Sequence, residues 1–233
     1  TDEWAFTGEI APAMLKREGV EYVILGHPER TLGLVGAVES YELVNLKVKA
    51  ALKRKITPII CITDTLEDRN HGLTKHKLIS QLDEALQGVT KKQAKDSIIV
   101  YLPYWVLQKD PQERKAMDPA QVQEVMSFIR KWLQTRRGYG KKTADQIRLL
   151  YGRLVNHDNV RDYLAQPDID GVFVATYAIP PENAAKIVIA ASEMAAQKRH
   201  PPLVIFNLKM FEQVKCIFDY YYVFFVLLNF ANY

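Results

Sequence analysis

The chain has 233 residues, of which 48% are apolar and 25% charged. That composition excludes a disordered chain, a collagen-like repeat and a coiled-coil rod, and the length fits one large domain or two small ones. Lys and Arg outnumber Asp and Glu by 31 to 27, a net charge of +4, which is too slight an excess to argue for nucleic acid.

Short, nearly continuous apolar runs recur along the chain. They fall at residues 21–25, 58–62, 98–102, 147–151, 171–175 and 203–207. Such runs read as strands buried on both faces. Helical spacing fills the intervals. Residues 41–52 carry Leu43, Val44, Leu46, Val48 and Leu52 among Lys and Glu, and 119–133 carry Val122, Val125, Met126, Ile129 and Leu133. Residues 181–197 open on two prolines, a helix-start signal. Strands alternating with helices predict a parallel sheet with helices outside, either an open doubly wound sheet or a closed (β/α)8 barrel. No strand is followed by a dinucleotide fingerprint, and GYGKKT at 138–143 lacks the spacing of a phosphate loop.

The two cysteines, Cys61 and Cys216, provide no disulfide scaffold and point to a reducing, cytoplasmic setting. Residues 1–6 show neither a basic nor an apolar leader. The run YYYVFFVLL at 220–228 is shorter than the roughly 20 residues a membrane-spanning helix needs, so no membrane partner is expected. Arg130, Lys131, Arg136, Arg137, Lys141 and Lys142 lie at a helix end and loop. That placement reads as a solvated face, and no nucleic-acid partner is expected.

Several motifs together carry a family resemblance. AFTGEIAPAML at 5–15 and GVEYVILGHPER at 19–30 are followed by ITPIIC at 56–61, FIRKWL at 128–133, LYG at 150–152 and LAQPDIDG at 164–171. In this order they resemble triosephosphate isomerase over about residues 5–195. The resemblance implies an α/β (β/α)8 TIM barrel, usually a homodimer. It also implies an enzyme interconverting dihydroxyacetone phosphate and glyceraldehyde 3-phosphate in glycolysis without cofactor or metal. It places His27 at the electrophile position, with Glu29 and Arg30 as supporting charges, and puts Thr7 and Glu9 at the dimer contact.

The same resemblance marks what has changed. The family reads Ser after the histidine, where this chain has Pro28. The family's Tyr-Glu-Pro-Val-Trp stands here as Tyr101, Leu102, Pro103, Tyr104 and Trp105, so Leu102 occupies the general-base position. A leucine cannot accept a proton. Were only the base changed, Asp64, Asp110 or Glu113 would be the nearest substitutes. The following lid has lost both glycines, and the family's phosphate-cradling Tyr-Gly-Gly-Ser is here Tyr151, Gly152, Arg153 and Leu154. Side chains there obstruct a backbone cradle, although Arg153 offers a positive charge to a substrate phosphate. These losses predict an impaired or inactive homologue acting as a structural or binding subunit; the alternative is a divergent active isomerase.

Residues 203–210, LVIFNLKM, resemble the family's first strand, with Asn207 and Lys209 at its substrate-contacting positions. That strand here follows the last family-like helix. The expectation is one domain over 1–233: residues 1–198 co-linear with the family, and 199–233 a first-strand-like segment plus an aromatic tail. The barrel is then incomplete or circularly permuted, with a helix over 212–219, a stand-in strand over 222–230 and a gap that a protein partner would fill.

Overall fold

The computed structural model describes residues 10–136, 138–178, 181–207 and 223–225. The strands are β1 (Tyr22–Leu25), β2 (Thr57–Ile62), β3 (Ile98–Tyr101), β4 (Arg148–Gly152), β5 (Gly171–Val174), β6 (Leu203–Phe206) and β7 (Val223–Phe225). They lie side by side in chain order, and every adjacent pair is parallel. Each of the six runs read from the sequence is a strand, with ends within a residue of expectation. β7 falls inside the expected stand-in strand. The remainder of that segment, the expected helix over 212–219, Thr7, Glu9 and Lys209 lie outside the described residues.

Parallel neighbours need a crossover, and helices provide it. In order these are α1 (Pro12–Arg17), α2 (Pro28–Thr31), α3 (Tyr41–Lys53), α4 (Leu66–Asn70), α5 (Thr74–Ala85), α6 (Lys91–Ala94), α7 (Trp105–Gln108), α8 (Pro119–Thr135), α9 (Gly140–Gln146), α10 (Val160–Leu164) and α11 (Pro181–Glu193). Their starts follow local chemistry. Ser40 Oγ accepts the Leu43 N–H at 3.2 Å, and Asp118 Oδ1 accepts the Ala120 N–H at 2.8 Å. Thr65 and Asp68 form a reciprocal capping box. The last helix ends earlier than its apolar pattern suggests, and a 3-10 turn, Ala195–Gln197, completes the segment.

The sheet has two apolar faces. Ile60, Ile62, Ile99, Leu149, Val172 and Val204 point outward and pack against α3, α5, α8 and α11 through Val48, Leu82, Ile129 and Ile187. Ile59, Cys61, Val100, Leu102, Leu150, Phe173 and Ile205 point the other way and form a second buried cluster. Alternate residues therefore enter different cores, which is why the strands read as continuous apolar runs. This is the α/β architecture of a TIM barrel left incomplete among the described residues, where no ladder joins β7 to β1. β1 has an edge character: Tyr22, Val23 and Ile24 are only partly buried, whereas β3 and β5 are buried throughout.

Arg130 is not a surface cation. It is 2% exposed and donates to Ile147 O at 2.6 Å, to Ala144 O and to the Asp170 carboxylate. Asp170 also accepts the Leu149 N–H at 2.9 Å, and its own carbonyl accepts the Leu203 N–H at 3.0 Å. One ion pair thus ties α8 to the starts of β4 and β6. No helix among the described residues is long and apolar enough to cross a membrane.

Candidate active site

The chemistry-bearing side chains gather at the C-terminal ends of the strands. β1 ends at Leu25, and Gly26 then turns with φ +70. A Cβ at Gly26 would stand 3.1 Å from Cys61 O and 3.3 Å from Val44 Cγ2, so both conformation and space favour glycine here. The turn delivers His27, 4% exposed, as the N-cap of α2. Its Nδ1 accepts the Glu29 N–H at 3.3 Å. A ring nitrogen that accepts an amide hydrogen carries no proton, so the imidazole N–H is on Nε2. Pro28 fits this arrangement because the first helical position has no N–H bond to lose.

Glu29 and Arg30 do not pair with each other. The Glu29 carboxylate lies 3.7 Å from His27 Nδ1. Arg30 lies 3.8 Å from Glu39, which Lys47 also engages. The adjacent charges diverge because successive residues of α2 point in different directions.

Leu102 follows β3 and turns inward. Its N–H donates to Ile62 O at 2.9 Å, and its carbonyl accepts the Thr63 hydroxyl at 2.6 Å. The side chain is 1% exposed and sits in the inner cluster with Phe173 and Ile205. A Cβ on Gly152 would meet Leu102 Cδ2 at 2.5 Å and Phe173 O at 2.8 Å. Leu102 is therefore hydrocarbon packed tightly against β4.

The nearby acids lie away from Leu102 or at the surface. Asp64 is fully buried, and its two carboxylate oxygens accept the Thr74 hydroxyl at 2.7 Å and the Tyr101 hydroxyl at 2.9 Å. Tyr101 belongs to the helix-facing core, so Asp64 is held on the opposite side of the sheet from Leu102. Burial pushes its carboxyl above the usual range, against the lowering effect of those hydroxyls. Asp110 accepts the Gln112 N–H at 3.0 Å and caps a 3-10 turn, while Glu113 is exposed.

The segment that follows Leu102, residues 105–114, is short helix and pinned turn. Trp105 lies beneath Arg69, 4.2 Å from the ring centroid, and Lys109, at 5.1 Å. Arg114 donates to Leu107 O at 2.8 Å and Lys109 O at 3.2 Å. Gln108 Oε1 accepts the Leu66 N–H at 2.8 Å.

After β4, Arg153 and Leu154 adopt φ 115 and φ 52. The backbone keeps a glycine-type conformation although neither residue is glycine. The Arg153 guanidinium sits 6.0 Å from the Tyr104 ring centroid. Burial pushes its pKa down, countered by Cys61, Glu29, Tyr151 and Tyr104. Arg153 follows β4 at the C-terminal end of the sheet. Its Nε is buried without a hydrogen-bond partner among the described residues. Asn207 ends β6 at this same end, 6% exposed, with its N–H on Val174 O at 2.8 Å. Tyr104, as the surface beneath Arg153, and Thr63, as the anchor of Leu102, carry no signal in the sequence that marks them as site residues. Both act through contacts between loops, which no local pattern encodes.

Parallel strands flanked by helices, with polar side chains collected past the strands' C-terminal ends, place the chain in the (β/α)8 barrel class. The triosephosphate isomerase family model matches residues 1–191. A triosephosphate isomerase of Carboxydothermus hydrogenoformans is 41% identical over 186 residues, covering 80% of this chain and 70% of that protein. One from Lacticaseibacillus casei is 40% identical over 182 residues, covering 78% and 69%. The chain belongs to the triosephosphate isomerase family.

Proposed function

We propose that this chain is a triosephosphate isomerase homologue in which isomerisation is abolished or strongly impaired, and that it serves as a structural or binding subunit. The observation that carries this reading is Leu102, inward, buried and closed over by Gly152 and Phe173. Moving a proton beside a carbonyl needs a base, and general acid–base catalysis contributes about 10²–10⁴-fold. The changed lid and the side chains in the phosphate loop support the same reading. In this proposal the whole of 1–233 forms one barrel-like unit in the cytoplasm. Thr7 and Glu9 belong to a homodimer contact, and Lys209 and Asn207 are inherited substrate positions. The expected result is no isomerase turnover above background from purified protein. Substantial turnover that His27→Ala abolishes overturns the proposal.

A second reading, a divergent active isomerase acting on triose phosphates in glycolysis, is favoured by His27. Its Nδ1 accepts an amide hydrogen. That is the arrangement a neutral imidazole needs to polarise a carbonyl, and it is the established scheme for this enzyme class. In that reading wild-type protein turns over, and Arg153→Ala raises KM for the phosphorylated substrate more than it lowers kcat.

A further inference from the structure

The turn that presents His27 is clamped by the first turn of α3. The Glu39 N–H donates to Arg30 O at 2.9 Å, which fixes the chain entering α3 against α2. Ser40 then caps the helix, so Tyr41 and Val44 stand three residues apart on one face. Both reach the same turn. Leu25 pairs with Ile60 in the β1–β2 ladder, which sets Gly26 level with Cys61. The Tyr41 hydroxyl donates to Cys61 O at 3.0 Å. That carbonyl oxygen and Val44 Cγ2 are the groups a Cβ at Gly26 would meet first, at 3.1 and 3.3 Å. Tyr41 therefore holds one wall of the Gly26 turn through the Cys61 carbonyl, and Val44 forms the other.

The orientation of His27 depends on where that turn lies. Its carbonyl starts α2 by accepting the Arg30 N–H at 2.8 Å and the Thr31 N–H at 3.1 Å, and its Nδ1 takes the Glu29 N–H at 3.3 Å. A contact of that last length is a weak hydrogen bond. A small rotation of the turn breaks it and releases the tautomer it selects. The Tyr41 phenol is pushed well up by burial and then by Cys61, so it remains a donor at neutral pH. A phenylalanine there keeps the ring against the helix-facing core and loses only the donor. Cys61 is fully buried, and a buried carbonyl deprived of a donor is costly, so the carbonyl shifts and the turn resting on it shifts too.

We propose that Tyr41 is a positioning residue for His27: its hydroxyl holds the Cys61 carbonyl against the Gly26 turn, and so keeps Nδ1 on the Glu29 amide and the imidazole proton on Nε2. The proposal rests on the place of His27 in the site and not on whether turnover survives, so its test uses no activity. The test is nitrogen nuclear magnetic resonance of the His27 ring in the full chain, with His27→Gln assigning the signals. Wild type is expected to show the well-separated Nδ1 and Nε2 signals of one neutral tautomer. In Tyr41→Phe the two signals move toward each other, and the Glu29 amide exchanges at least about tenfold faster. Circular dichroism verifies that the variant is folded. Tyr163→Phe is the control, because it removes another buried hydroxyl, the one on Met117 O, from α10 beyond β4; it leaves the His27 signals in place. Ring signals already averaged in wild type, unaltered in Tyr41→Phe, or moved equally by both variants overturn the proposal.

Discussion

At the scale of single residues, two side chains decide what the strand ends can do. Leu102 occupies a packing position. Leu102→Ala is expected to lower unfolding free energy by about 2–5 kcal/mol in denaturant titration, the range for emptying a tight apolar site. Leu102→Glu puts a carboxyl among Phe173, Ile205 and Gly152, where burial raises its pKa. If His27 is competent, this variant gains measurable isomerase rate, and its pH profile has an acid limb above the ordinary carboxylate range; a rate no better than wild type rejects competence. Arg153 holds a conformation normally left to glycine. Arg153→Gly is expected to stabilise by about 1 kcal/mol through relief of that strain, read as a raised denaturation midpoint. A lowered midpoint would mean that the stacking on Tyr104 outweighs it.

At the scale of elements, the strands and the long helices are legible in the sequence and the site loops are not. A strand between two cores has a signal in every residue, as residues 58–62 and 98–102 show. α3 and α8 likewise repeat an apolar face and begin at Ser40 and Asp118 caps. The resemblance locates His27, Leu102 and Arg153, but not their surroundings. That Asp64 turns away from Leu102, that Arg30 pairs with Glu39, and that Arg114 pins the lid segment depend on residues brought together by tertiary packing. Arg130 misleads for the same reason, because a charged helix position looks solvated until its buried partner is known. The Arg130–Asp170 pair gives a sharp prediction. Asp170→Ala leaves a buried guanidinium uncompensated and is expected to cost about 3–5 kcal/mol of stability, measured by thermal or denaturant unfolding. Arg114→Ala should affect little of the global stability yet speed amide exchange over residues 106–113, because it removes the two carbonyl contacts that hold the turn.

At the scale of the whole molecule, the helix-facing core contains a line of tyrosines. Tyr101 and Tyr151 have ring centroids 6.3 Å apart, and Tyr151 and Tyr163 4.7 Å apart. Tyr163 donates to Met117 O at 2.5 Å, and burial raises its pKa to about 12; burial likewise pushes Tyr101 and Tyr151 well up. A phenol with a raised folded pKa keeps its proton in the native state after the unfolded chain has released it. Its contribution is complete below about pH 10, the unfolded value, and is lost as pH climbs through the folded value. Stability is therefore expected to fall between about pH 10 and 12, and Tyr163→Phe to flatten that decline. An unchanged alkaline slope in the variant would count against it.

The strict chain order of the sheet has a kinetic consequence. Every described strand pairs with the one made just before it, including β6, which joins β5 after a single intervening helix. Each of these contacts is local in sequence, and the loop-closure entropy it demands is small. Low contact order of this kind favours rapid assembly. Each βα unit can dock onto a finished neighbour as it leaves the ribosome, so nascent chains truncated after β5 should already protect β2, β3 and β4 from pulse proteolysis.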